Sequence, residues 1–144
     1  MHEITAEPKY LSAEERGRTR ALYQAAFPED TERFVDFYYQ YKTRDNQILA
    51  LEQDGQIVSM LHRNPYTMIM NGYEFLADYI VAVATEKAFR HQGCMRKLLD
   101  KALNDMADQG MPFTFLMPAS ESIYAPFDFV WICPYTELPM RVER

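Results

Sequence analysis

Val81-Ala82-Val83-Ala84-Thr85-Glu86-Lys87-Ala88-Phe89-Arg90-His91-Gln92-Gly93-Cys94-Met95-Arg96 is the stretch whose reading decides the fold. An apolar strand runs into a short polar loop, and Gly93 then opens an amphipathic helix. The first backbone N–H groups of a helix have no helical partner and sit at the positive end of its dipole. They form a ready seat for a phosphate or pyrophosphate. Gly93 lets the backbone approach such an anion closely, and Arg90, His91 and Arg96 supply donors and charge beside it. The order strand, loop, helix therefore points to a phosphorylated cofactor held at the end of a strand.

The elements on either side agree with an α/β domain. The helix is expected over residues 92–109, with Met95, Leu98, Leu99, Ala102 and Met106 on one face and Gly110 as a left-handed cap. The apolar run from Ile80 to Ala84 suits a central strand covered on both faces. Upstream, Asp54-Gly55 and Asn71-Gly72 predict two hairpins, the first joining residues 48–52 to 56–61 and the second joining 66–70 to 73–83. Before them, Ser12 and Glu15 read as a capping box for a helix that Pro28 ends. Asp30 or Thr31 then caps a second helix carrying Phe34, Val35, Phe37, Tyr38 and Tyr41. Downstream, residues 113–117 read as a buried strand and residues 120–125 as a short helix. Residues 129–133 and 136–142 read as a final strand pair. Helices, antiparallel strands and then strand–helix–strand imply a layered sheet of mixed direction.

At 144 residues the chain is read as one domain, residues 1–144, with 48% hydrophobic and 25% charged residues, a globular balance. No repeat, low-complexity segment, membrane-length apolar run or signal-like opening stands out. Cys94 and Cys133 are too few for a disulfide scaffold and lack metal-ligand spacing, so a cytoplasmic setting without a metal is expected. The net charge of −6 and the lack of a basic stripe argue against nucleic acid. That charge mildly favours a cationic partner such as an amine.

Arg90-His91-Gln92-Gly93-Cys94-Met95 resembles the Arg/Gln-x-x-Gly-x-Gly/Ala acyl-CoA motif of the Gcn5-related N-acetyltransferases (GNAT), with Met95 where that family has Gly or Ala. The Val-Ala-Thr run, the Arg–Gly spacing and a later tyrosine look most like the enhanced-intracellular-survival (Eis) branch. The resemblance spans about Leu11 to Trp131. It implies a mostly antiparallel central sheet flanked by helices, in which two splayed strands form an acyl-CoA cleft. It also implies acetyl-CoA as co-substrate and direct attack by an amine.

By the same resemblance, backbone at Val81, Ala82 and Val83 pairs with the pantetheine and acetyl carbonyl. Arg90, His91, Gln92, Gly93, Cys94, Met95 and Arg96 surround the pyrophosphate, and Ala119 and Ser120 touch the cofactor. Tyr124 protonates the departing thiolate, a role that a phenol with a pKa near 10 can fill. For the base, Asp78, Glu86, Glu121 and His62 all remain open. In the Eis branch a terminal carboxylate on a distant domain serves instead, so the chain is expected to be a short form, to be part of a longer architecture, or to deprotonate its amine through water. Cys94 near a helix start has the setting of a nucleophile, but no base partner is readable. The acceptor is open among aminoglycosides, polyamines and protein lysines. Two rival readings are a domain that holds CoA without transferring acyl groups, and a module that self-associates through residues 34–41.

Overall fold

The computed structural model describes residues 3–134 and 137–139. Its centre is an antiparallel sheet in the order β1 (Lys9–Tyr10), β2 (Gln47–Gln53), β3 (Gln56–Met70) and β4 (Tyr73–Thr85). Both turns form where their dipeptides predict. Asp54 and Gly55 have φ of 53° and 79°, and Asn71 and Gly72 have 51° and 81°, values that few residue types other than Gly, Asn and Asp accept.

The two short strands expected at 56–61 and 66–70 are one continuous strand, β3. Pro65 does not break it, because pairing with β2 ends at Gln47↔Arg63. From there β3 has only β4 beside it, and an edge position tolerates a missing N–H.

Helices cover the sheet on both faces. One face packs Leu49, Leu51, Leu61 and Ile80 against Leu98, Leu99, Ala102 and Met106 of α3 (Cys94–Asp108). The other packs Met60, Ala82 and Ala84 against Tyr23 of α1 (Arg20–Ala26) and Val35 and Tyr38 of α2 (Glu32–Tyr41). Thr31 caps α2 by accepting the Phe34 N–H at 3.2 Å. Half of the expected capping box also forms, since Ser12 N–H donates to Glu15 at 3.1 Å. The α-helix nevertheless starts only at Arg20, after a 3₁₀ turn over Arg16–Thr19 that holds Gly17, a poor helix former.

Arg63 of β3 is buried, and each of its three guanidinium nitrogens has a partner. It donates to Asp78 at 2.7 Å, Tyr10 at 2.6 Å and Gln109 at 2.8 Å. Tyr10 passes its own proton toward Asp105 at 2.7 Å. This network ties β1, β3, β4 and the end of α3 together.

Two expectations are corrected. Residues 113–117 form no strand: a single parallel bridge, Tyr79↔Phe115, joins them to β4, and Met117 is 60% exposed. The chain instead leaves β4 there and enters α4 (Glu121–Tyr124) and a 3₁₀ turn that ends with Asp128 at φ 64°. Residues 129–133 are not a strand either, and Val130 and Ile132 lie largely in solvent. The partner strand expected at 136–142 falls mostly outside the described residues. Among the described residues no helix is long and apolar enough to cross a membrane.

Candidate active site

β3 and β4 lose register beside the site. Met60 pairs with Ala84 and His62 with Val81, so Leu61 alone faces both Ala82 and Val83. This is a β-bulge, which turns the strand and re-aims its backbone groups. Ala82 takes a left-handed φ of 53°. For an L-residue with a Cβ that costs roughly 1–2 kcal/mol, so its surroundings must hold it there.

The loop after β4 is anchored at its start, where Glu86 N–H donates to Val58 O at 2.8 Å. Arg90 Nε donates to Thr85 O at 3.1 Å. His91 and Gly93 are both left-handed, with φ of 61° and 81°. Gly93 is the N-cap of α3 and carries no side-chain cap, and the first helical bond runs from Lys97 N–H to Gly93 O. The N–H groups of Cys94, Met95 and Arg96 thus precede the helical ladder, as an anion seat requires.

Between β4 and the departing 115–124 segment lies a cavity of about 630 Å³. Its walls are residues 79–85 of β4, residues 89–91 and 93–95 of the loop and α3, and Met117, Ala119, Ile123 and Tyr124. Ala26 and Phe27 close the α1 side. Val81, Ala82, Val83, Arg90, His91, Gly93, Cys94, Met95, Ala119 and Tyr124, all singled out in the sequence, line this one space. Gln92, Arg96 and Ser120 do not. Gln92 donates to Ala88 O at 3.2 Å, the Arg96 guanidinium lies over the Phe127 ring at 4.8 Å, and Ser120 pairs with Ser122 at 2.9 Å.

Tyr124 packs edge-on against Phe129, with centroids 5.7 Å apart. Burial, and secondarily the nearby Tyr79, raise its phenol above the ordinary value. It therefore stays protonated through neutral pH. Cys94 is buried with its Sγ 3.5 Å from Phe89 O, and burial pushes its thiol upward, which disfavours a thiolate nucleophile.

None of the four base candidates lines the cavity. Asp78 is ion-paired with Arg63. Glu86 accepts from Gln56 at 2.8 Å. Glu121 borders a second, mainly apolar cavity of about 530 Å³, which shares Met117 and Tyr124 with the first. His62 is fully buried, with Nδ1 2.8 Å from the Tyr38 hydroxyl, and desolvation lowers its pKa to about 3.

Sequence reasoning passed over Tyr79, which lines the cavity, stacks on Phe115 with centroids 5.4 Å apart, and acts electrostatically on both Tyr124 and Tyr38. Strand alternation carried the signal, since Tyr79 and Val81 share one face two residues apart. Phe27 was visible only as the residue before a helix-ending proline.

The family model for the acetyltransferase (GNAT) domain matches residues 7–132. The chain belongs to the GNAT acetyltransferase family. No curated protein sequence matches it. Among solved structures it is similar to a probable N-acyltransferase from Enterococcus faecalis, at 22% identity over 85% of this chain, with a TM-score of 0.78. This GNAT domain spans only 32% of that protein's length.

A predicted acetyltransferase from Clostridium acetobutylicum, solved with acetyl-CoA, has a TM-score of 0.80 at 13% identity and covers 94% of this chain and 96% of its own. Glucosamine-6-phosphate N-acetyltransferase from Arabidopsis thaliana has a TM-score of 0.72 at 14% identity, over 95% and 99%. At these identities the likeness speaks for the GNAT fold: an antiparallel four-strand sheet flanked by helices.

Proposed function

We propose that this GNAT domain transfers an acetyl group from acetyl-CoA to an amine by direct attack. The observation that carries the reading is one cavity with the bulged backbone of β4 along its wall and the uncapped start of α3 at its end. In this reading the backbone at 81–83 holds the pantetheine arm and polarises the acetyl carbonyl. The N–H groups of residues 94–96 hold the pyrophosphate, with Arg90 and His91 beside them. Attack by the neutral amine forms the C–N bond, and the C–S electron pair leaves on sulfur. Tyr124 gives its proton to that sulfur, and the proton lost by nitrogen goes to water. The Val-Ala-Thr run and Tyr124 continue to favour an Eis-like relationship, and the net charge of −6 favours a cationic acceptor. The expected setting is cytoplasmic.

The test pairs calorimetric titration of acetyl-CoA with CoA release across a panel of amines. Binding with amine-dependent release supports the reading, and no binding rejects it. Binding without release by any amine supports the alternative, a CoA-holding domain. One observation favours that alternative: Met95 puts a long side chain into the cavity wall at a motif place where the family has Gly or Ala. Self-association is a separate property. Phe34, Phe37 and Tyr41 form an exposed aromatic stripe on α2, and sedimentation velocity at several concentrations reads whether it assembles.

A further inference from the structure

We propose that His62 is a positioning residue of the cleft, holding the left-handed bulge at Ala82 from the neighbouring strand through its stacked and hydrogen-bonded pairing with Tyr38. The inference rests on the acetyl-CoA reading for its effect on affinity, but not for its effect on the bulge.

Three observations carry it. A residue with a Cβ persists at positive φ only when its surroundings over-determine it, and Ala82 lies in the buried cluster that contains Tyr38, Tyr23 and Met60. His62 is the Cα partner of Val81, the last paired residue before the bulge, on the β3 stretch where register is lost. Its ring stacks on Tyr38 with centroids 5.7 Å apart, and the 2.8 Å bond fixes the ring plane. A β4 without the bulge would restore one-to-one pairing and draw Ala82 out of the cluster. Tyr38 shares the buried cluster of Ala82, and its pairing with His62 therefore favours the bulged form.

A further observation bears on ordinary packing. His62 Nε2 is buried and without a hydrogen-bond partner among the described residues, as is Asn46 Oδ1 in the same cluster. An unsatisfied buried polar atom destabilises a fold, and an apolar ring of similar size would avoid that cost. The Tyr38 hydroxyl would keep Asn46 and Asn64 as neighbours at 3.4 Å. Packing alone calls for neither ring nitrogen, whereas fixing the ring plane beside the strained backbone calls for the bond to Tyr38.

The experiment compares His62→Phe with His62→Phe/Ala82→Gly, because glycine adopts positive φ without support. His62→Phe is expected to keep or raise the melting temperature at pH 7, speed amide exchange at Ala82 and Val83, and weaken acetyl-CoA binding about tenfold or more. Adding Ala82→Gly is expected to recover most of the lost affinity, a rescue that a packing role would not produce. Unchanged exchange and affinity in His62→Phe overturn the proposal, and so does a double variant that recovers nothing. If His62→Phe does not accumulate, Tyr38→Phe removes only the hydroxyl and carries the same comparison with Ala82→Gly. Should the wild-type chain not bind acetyl-CoA, the functional reading fails, and the exchange measurement still decides the role of His62.

Discussion

Gly93 and Tyr124 mark the two ends of the proposed reaction, and each is tested by a single atom group. A Cβ at Gly93 would meet nothing within 4 Å, so substitution there is opposed by conformation alone, at φ 81°. Gly93→Ala should destabilise the fold by about 1 kcal/mol, and Gly93→Val by more because a β-branched residue fits positive φ worse. The added side chain also stands on the cavity wall at the α3 N-terminus. Acetyl-CoA affinity should therefore fall in the folded fraction, and more in Val than in Ala. Calorimetry well below each melting temperature separates the effects, and unchanged affinity in both variants would remove the pyrophosphate site. At the other end, Tyr124→Phe keeps the ring against Phe129 but removes the proton. Turnover should drop about 10²-fold with acetyl-CoA binding retained, the low end for general acids because thiolates leave readily. The raised phenol pKa gives the pH dependence a sign. Wild-type turnover should keep climbing above neutral pH as the amine deprotonates, with Tyr124 still protonated beyond its ordinary 10. An acid limb that already fails near pH 8 would exclude Tyr124 from the role.

Among the elements, β4 connects fold to site, and Asp78 is where the two meet. The Asp78 carboxylate takes the buried Arg63 Nε–H at 2.7 Å, while its backbone carbonyl accepts from Phe115 N–H at 3.3 Å and the Thr114 hydroxyl at 2.6 Å. The ion pair therefore fixes the point from which the 115–124 segment, and with it Tyr124, leaves the sheet. Arg63→Met should destabilise by about 3–5 kcal/mol because it strands the Asp78 charge, and Asp78→Leu by a similar amount. The double variant should cost far less than the sum. A urea-denaturation double-mutant cycle reads this coupling, and additive losses would show that the two charges act independently.

The same strand shows which features a sequence can carry. The hairpins were legible because Asp-Gly and Asn-Gly are locally demanding. α3 was legible because five apolar residues recur on one face up to a glycine cap. The bulge was not, since nothing local marks Ala82 and its φ depends on the packed neighbours of β3 and α2. Phe113 to Met117 has strand-like composition, but pairing needs a partner that stays alongside, and β4 and this segment part after one bridge. The base candidates failed for a related reason. The Asp78 carboxylate in sequence does not reveal that Arg63 already holds it within a buried network.

Across the whole molecule, stability below neutral pH should depend on the buried imidazole that the fold keeps neutral. His62 is close to the rings of Tyr23 and Tyr38, with Asn46 and Asn64 completing the polar cluster, and among the described residues no charged side chain hydrogen-bonds it. Burial lowers its pKa to about 3 from an ordinary 6.5. Below pH 6.5 the unfolded chain gains a proton there that the native chain refuses, so stability is lost as pH falls and the loss continues toward pH 3. The half-buried carboxylate Glu52, held at about 2 by Arg18 and Lys9, enters only below its ordinary 4.5. The window from pH 6.5 to 5 therefore isolates the histidine. Wild-type unfolding free energy should fall there by on the order of 1–2 kcal/mol, while His62→Phe should be nearly flat because it has no proton to gain. Urea denaturation at pH 7 and pH 5 measures both. An equal fall in the two proteins would assign the acid sensitivity to other groups. A fall confined to the wild type would show that the fold holds a neutral imidazole against solution, as the support of Ala82 by the His62–Tyr38 pair requires.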